Sequence, residues 1–195
     1  MAKAGAESTK RERNKNIRWV VIIFFATIFI SGAISFLSDI LMENSSMVAA
    51  FCILLAIIFI GIIFDIIGMA VATADEKPFH AMAARKVPGA KAAIQLLRNA
   101  ERVSSICNDV VGDICGVVSG SASATIAVQI LSNFDMSWPQ IVSLAMSALA
   151  AGLTVGGKAI GKSVAVNSCV SIVHTVGKII SWFQNLTAGS RKKKK

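Results

Sequence analysis

The sequence predicts an all-α, multi-pass membrane protein with four transmembrane helices, and three observations carry that reading. Hydrophobic residues make up 54% of the 195 residues, charged residues only 16%, and the mean hydropathy is +0.66. A soluble globule carries about a quarter charged residues. Four apolar stretches are each long enough to cross a hydrocarbon core, which takes about 20 residues. All 20 Lys and Arg residues fall into three segments that alternate with the turns between those stretches. With 14 Gly and 3 Pro, the composition excludes collagen-like and low-complexity classes. Four dispersed cysteines fit neither a disulfide scaffold nor a zinc motif.

Residues 1–16 form a basic tail, and 17–37 form the first span, with Arg18 and Trp19 at its edge. Its apolar run is longer than a signal-peptide core and lacks a clean small-x-small cleavage site, so it reads as a retained helix. The second span, 47–74, is interrupted only by Asp65. The third, 103–131, is less oily, rich in Gly, Ser and Ala, and contains Asp109 and Asp113. The fourth, 138–157, opens with Trp138-Pro139 at an interface.

Between the second and third spans, 76–100 is too polar to insert. Pro78 suits a first helical turn, Val87-Pro88-Gly89 breaks the pattern, and Ala90 to Leu97 resumes with an apolar face. Two short helices along the inner membrane surface satisfy it. Over 163–186, Val166, Val170, Val173, Val176, Ile180 and Phe183 recur at helical spacing, predicting an amphipathic interfacial helix. The tail 187–195 ends in Arg191, Lys192, Lys193, Lys194 and Lys195. That run reads as a solvated, membrane-surface anchor attracted to anionic lipid, not as a nucleic-acid site.

Six basic residues lie up to Arg18 at the edge of the first span, six lie in the loop from Asp75 to Arg102, and eight lie from Lys158 onward. The turns 38–46 and 132–140 hold only Asp39, Glu43 and Asp135 as charges. Cytoplasmic loops concentrate Lys and Arg, so both termini are expected in the cytoplasm of a cell-membrane protein.

Carboxylates inside a span cost roughly 2.5–3.5 kcal/mol each on insertion scales and mark functional sites. Asp65, Asn108, Asp109 and Asp113 make a set of oxygen donors with no Lys or Arg partner expected at their depth. Such a set calls for a cation or protons, and hard cations such as Mg²⁺ take oxygen ligands. The alternative is that Asp109 and Asp113, spaced one helical turn apart, face water or Arg102 near the inner boundary. Gly112, Gly116 and Gly120 form a double GxxxG, which serves tight helix packing within the chain or a homodimer contact. Cys52, Cys107, Cys115 and Cys169 read as small apolar residues, and His80 and His174 as solvated or capping. No catalytic triad, P-loop or nucleotide fingerprint is present, so no enzyme is expected.

Asn99-Ala100-Glu101-Arg102 followed by Ile106 to Ile114 resembles the "D-P-E-R … G-N-x-x-x-N" segment of a known family. The stretch from Val155 through Gly156-Gly157-Lys158 to Asn167 resembles its "f-G-E-i-i-P-K-s-l-a", and Ala70-Val71-Ala72-Thr73 its "S-E-T-A-L". The family is the cyclin M / CorC / CorB magnesium transporters, and the resemblance extends to its transmembrane domain, placed here within 47–186. It implies a dimer holding a partly dehydrated Mg²⁺ between helices. Carried over, it implies ligands at Asn108, at Gly157, near Asp65, and at Gly112, where the family's second Asn stands. Lys158 and Gly161 replace the family's Glu and Pro, so glycines must supply any helix break. No paired regulatory domains accompany the motif, so ATP control is not expected in this chain.

The expected function is transport of Mg²⁺ or a related divalent cation, with Asn108, Asp109, Asp113, Asp65, Gly157 and Gly112 as the metal-site residues. The rival classes are a non-transporting membrane scaffold or regulatory subunit, and a Na⁺- or H⁺-coupled carrier. The lipid bilayer and a second copy of the chain are the expected partners.

Overall fold

Long unbroken runs of Ile, Leu, Val, Phe and Ala in a chain with three prolines favour helix wherever the backbone must satisfy its own hydrogen bonds in lipid. The computed structural model describes the backbone of residues 2–43, 45–133 and 138–192, with side chains described over 17–42, 45–133, 138–184 and at 186. Every element among them is helical. In order they are α1 (Ala2–Glu43), α2 (Met47–Thr73), α3 (Lys77–Ala84), α4 (Ala90–Arg98), α5 (Ala100–Ser105), a π-helical segment (Ile106–Gly112), α6 (Asp113–Asn133), α7 (Pro139–Asn167) and α8 (Cys169–Lys192).

Four of these are long and apolar enough to cross a membrane: Ile17–Met42 within α1, Met47–Thr73, the continuous Ala100–Asn133, and Pro139–Asn167. The protein is an all-α polytopic membrane protein. At about 1.5 Å per residue, the 27 residues of α2 reach about 40 Å, enough for the hydrocarbon core and both its margins.

Local chemistry sets the helix starts. The Ser46 hydroxyl accepts from the Ala49 amide at 3.4 Å and caps α2. Pro78 and Pro139 sit in the first turns of α3 and α7, where no amide donor is needed. Gly89 begins α4 at φ 85°, and its backbone lies against α8. A Cβ there would stand 2.6 Å from the Lys178 amide nitrogen, and one on Gly177 would stand 2.6 Å from the Gly89 carbonyl oxygen. The two glycines thus let the α3–α4 loop and α8 touch backbone to backbone.

Helix α2 is the axis of the bundle, and α6, α7, the π segment, α5 and α8 all pack on it. One apolar cluster at its beginning gathers Met42, Ala50, Leu54, Ile58, Ile126 and Met146. Another at its end joins Val71, Phe79, Ala93, Leu97, Ala165 and Val173, seating the short surface helices and α8. Helix α1 is peripheral. It packs mainly on α6, where Ile23 meets the Val110–Ile114–Val118 cluster, and apart from buried Met42 and half-buried Trp19 and Ala26 its remaining large apolar side chains are exposed.

Several boundaries differ from the sequence reading. The first span runs on to Met42, because Ser38 and Met42 are buried and the Met42 carbonyl accepts from Gln129 Nε2 at 2.9 Å. The first outer turn shrinks accordingly. The fourth span does not stop at Gly157: α7 passes unbroken through Gly156, Gly157 and Gly161 to Asn167. The interfacial helix therefore starts at Cys169 instead of residue 163, after a break at Ser168. Neither histidine is merely solvated. His80 Nε2 is 3.3 Å from Glu76, and His174 Nε2 is 3.2 Å from the Pro88 carbonyl oxygen. Asp135 and Lys193 to Lys195 lie outside the described residues, as do the side chains of Arg191 and Lys192.

Candidate functional site

Between the two apolar clusters of α2 polar side chains are buried, and small residues make room for them. Asp65 is 6% exposed, and its Oδ2 is buried with no hydrogen-bond partner. Three residues further along the same face is Gly68, whose missing side chain is replaced by Asn108. A Cβ on Gly68 would fall on the Asn108 carboxamide oxygen and stand 2.9 Å from Cys107 Cβ. Asn108 Nδ2 donates to Ser104 Oγ at 3.3 Å, while its Oδ1 is buried and unpartnered. These are two of the three buried side-chain oxygens without a partner among the described residues; the third, Gln129 Oε1, belongs to the amide that bonds the Met42 carbonyl.

Asn108 belongs to the π segment, where hydrogen bonds run i to i+5 and the turn carries one extra residue; such turns recur at functional sites. The π turn leaves Asp109 and Asp113 both on the exposed side of the helix. Among the described residues no ion pair or hydrogen bond involves Asp109. Asp109 therefore does not join the buried oxygens.

Gly112 ends the π segment and is buried. The point where its Cβ would stand is 3.3 Å from Lys158 Nζ and 3.7 Å from Asp65 Oδ1. Glycine here leaves the space in which a carboxylate and an ammonium approach one another. Lys158 Nζ donates to the Gly112 carbonyl oxygen at 3.2 Å and lies 3.6 Å from Asp113 Oδ1, with side-chain exposures of 20% for the lysine and 71% for the aspartate. This corrects the sequence reading of an oxygen set without a cationic partner. Lys158, on α7, reaches across to the start of α6 because both residues lie at one level of antiparallel helices.

Gly157 is brought close for a different reason. A Cβ on it would fall on Ile62 Cδ1, and one on Gly161 would stand 2.8 Å from Ile66 Cγ1. These glycines let α2 pack closely on α7. Since α7 is continuous there, Gly157 sits within an unbroken helix and not at the expected helix break.

Gly116 and Gly120 also depart from Gly112. Nothing lies within 4 Å of a Cβ on either, and both line an open groove of about 260 Å³ between α6 and α7. Arg102, the other cation considered for the carboxylates, lies over the Trp19 ring at 5.3 Å from its centroid. Among the described residues no group of three His, Cys, Asp or Glu side chains is placed to hold a metal. Any ion held here would rely on one carboxylate, a carboxamide and backbone oxygen.

Comparison with protein-family models, with curated proteins and with solved structures finds no match for this chain.

The residue that sequence reasoning undervalued is Lys158. Its signals are a lone lysine near the end of an apolar stretch and its place where the resembled family has Glu, close enough to a bound cation to weaken its binding unless it snorkels to the surface.

Proposed function

We propose that this chain is a membrane carrier for an inorganic cation, held by oxygens of Asp65, Asn108 and Gly112 between α2, the π segment and α7. The observation that supports it is the pair of buried, unpartnered oxygens, Asp65 Oδ2 and Asn108 Oδ1. Leaving a buried acceptor unsatisfied costs about 1–3 kcal/mol, and more on a charged group. A folded chain that retains two of them beside a backbone carbonyl has a place for a positive ligand.

Within this reading the chain is a relative of the CorC-like transmembrane domain, and Mg²⁺ or a related divalent cation is its cargo. Asn108 and Gly112 stay in the ligand set of this reading. Asp65 supplies the fixed charge, and Asp109 and Gly157 leave the ligand set. Both termini face the cytoplasm of the cell membrane, a second copy docks through the Gly116–Gly120 groove, and the chain catalyses no covalent chemistry. Movement follows alternating access, with α7 rocking on α2 over Gly157 and Gly161.

A second reading has one observation in its favour. Lys158 already satisfies Gly112 and Asp113, as it would in a purely structural clamp of a non-transporting scaffold. Flux into dye-loaded proteoliposomes separates the two, run with external Mg²⁺ and, in a parallel arm, Na⁺. Wild type is expected to carry cation at a rate that Asp65→Asn and Asn108→Ala each cut at least tenfold. Negligible flux of both ions in all three folded proteins leaves the scaffold.

A further inference from the structure

The ammonium of Lys158 shares its space with the proposed ion. Its Nζ and Asp65 Oδ1 both lie within 4 Å of the point that a Gly112 Cβ would occupy. Two carboxylates and one ammonium meet here, and the ammonium leans on Asp113 instead of Asp65. Asp65, buried and partnerless at Oδ2, is left as the uncompensated charge. Lys158 also hangs on a flexible four-carbon stem from a helix that does not bend, so it can shift between Gly112 and Asp113 without moving the backbone.

Building on the cation-site reading above, we propose that Lys158 is a tethered counter-cation that competes with the transported ion. In the ion-free state it donates to the Gly112 carbonyl. An incoming cation takes that carbonyl together with Asp65 and Asn108, and the ammonium gives up Gly112 and keeps Asp113, already 3.6 Å away. Asp113 is then a perch for the lysine and not a ligand of the ion. Lys158 consequently sets charge selectivity, because its repulsion scales with the charge of the ion. A divalent cation feels it twice as strongly as a monovalent one, so removing it favours Mg²⁺ over Na⁺.

The test is ion titration of the purified full chain in lipid nanodiscs, followed by tryptophan fluorescence and thermal unfolding. MgCl₂ and NaCl are compared at ionic strength held constant with choline chloride. Lys158→Met is expected to tighten Mg²⁺ binding about tenfold and Na⁺ binding only about threefold, the square-root relation that charge scaling requires. Lys158→Arg keeps the wild-type ratio of the two affinities. Asp113→Asn, at an exposed position, is expected to weaken Mg²⁺ binding in wild type by removing the perch, and to change nothing in the Lys158→Met background. Should Lys158→Met fail to fold, the Asp113→Asn comparison in Lys158→Gln serves in its place.

Weakening by Asp113→Asn in both backgrounds makes Asp113 a ligand and overturns the competition while leaving the ion site standing. Equal Mg²⁺ affinity in wild type and Lys158→Met does the same. Absence of binding in every variant overturns the ion site along with it. Binding only after the lysine is removed supports the proposal, with Lys158 holding the site closed.

Discussion

Asn108 and Gly68 are two halves of one structural decision. The carboxamide can sit against α2 only because residue 68 has no side chain, so the polar site depends on a glycine that offers it no polar atom. Gly68→Ala would drive a methyl into the Asn108 oxygen and Cys107 Cβ. Overpacking of this kind typically costs about 1–3 kcal/mol. The expected result is a loss of that size in unfolding measurements in detergent, together with loss of the ion response, since Asn108 must leave its place. Gly120→Ala is the contrasting substitution: a Cβ there meets nothing within 4 Å, and the expected change is within about 0.5 kcal/mol. Two glycines in membrane-spanning helices thus differ because one faces a neighbouring helix and the other an open groove. Sequence spacing alone ranked Gly112, Gly116 and Gly120 together, and only the rotation of α6 against α2 and α7 separates them.

At the scale of elements, the π segment joins pattern to function. Hydropathy finds the span that contains it, and charge segregation orders the spans, because both depend on composition over many residues. The π turn involves one extra residue within one turn and leaves no compositional trace, and only the structure shows that the Asn108 carboxamide oxygen is buried against Gly68 while Asp109 is exposed. The same limit explains α7. Gly156, Gly157 and Gly161 suggest a break, yet in lipid an unpaired backbone is costly, and close packing on Ile62 and Ile66 gives the glycines another role. A π turn holds one residue more than an α turn, so deleting one residue converts it to α-helix without rotating α5 against α6. Deletion of Val111 is therefore expected to leave a folded helical protein, by circular dichroism and thermal unfolding. The spacing between Asn108 and Gly112 would shrink by one residue, and the ion response should disappear. A retained response would mean that the π geometry plays no part in the site.

Across the whole molecule, lipid-facing surface is abundant, and the Gly116–Gly120 groove differs from it in texture. Gly116, Gly120, Ser147 and Ala151 line it with little side-chain relief, so a partner backbone can come close. Three of its four hydroxyls are already engaged: Ser119 donates to the Gly116 carbonyl at 2.9 Å, Ser123 to Gly120 at 2.8 Å, and Thr154 to Ala150 at 2.8 Å. What remains for a partner is the Ser147 hydroxyl and shape, and packing of this kind drives helix association in lipid, where apolar burial gives no net gain. A second copy meeting its own groove across a two-fold axis would place four small-residue helices in contact, the closed isologous arrangement common among homodimers. Filling the groove should then separate the protomers without disturbing either, because a side chain at residue 120 meets no atom of its own chain within 4 Å at Cβ. Gly120→Leu is expected to be monomeric by light scattering in detergent and by subunit counting in bilayers, with wild-type thermal stability per protomer and wild type itself dimeric. A Gly120→Leu protein that stays dimeric moves the interface elsewhere, and the exposed face of α1 is then the next surface to fill. If the monomer also loses cation flux while retaining ion binding, rocking of α7 on α2 needs the partner as its fixed wall; retained flux makes each protomer a complete carrier.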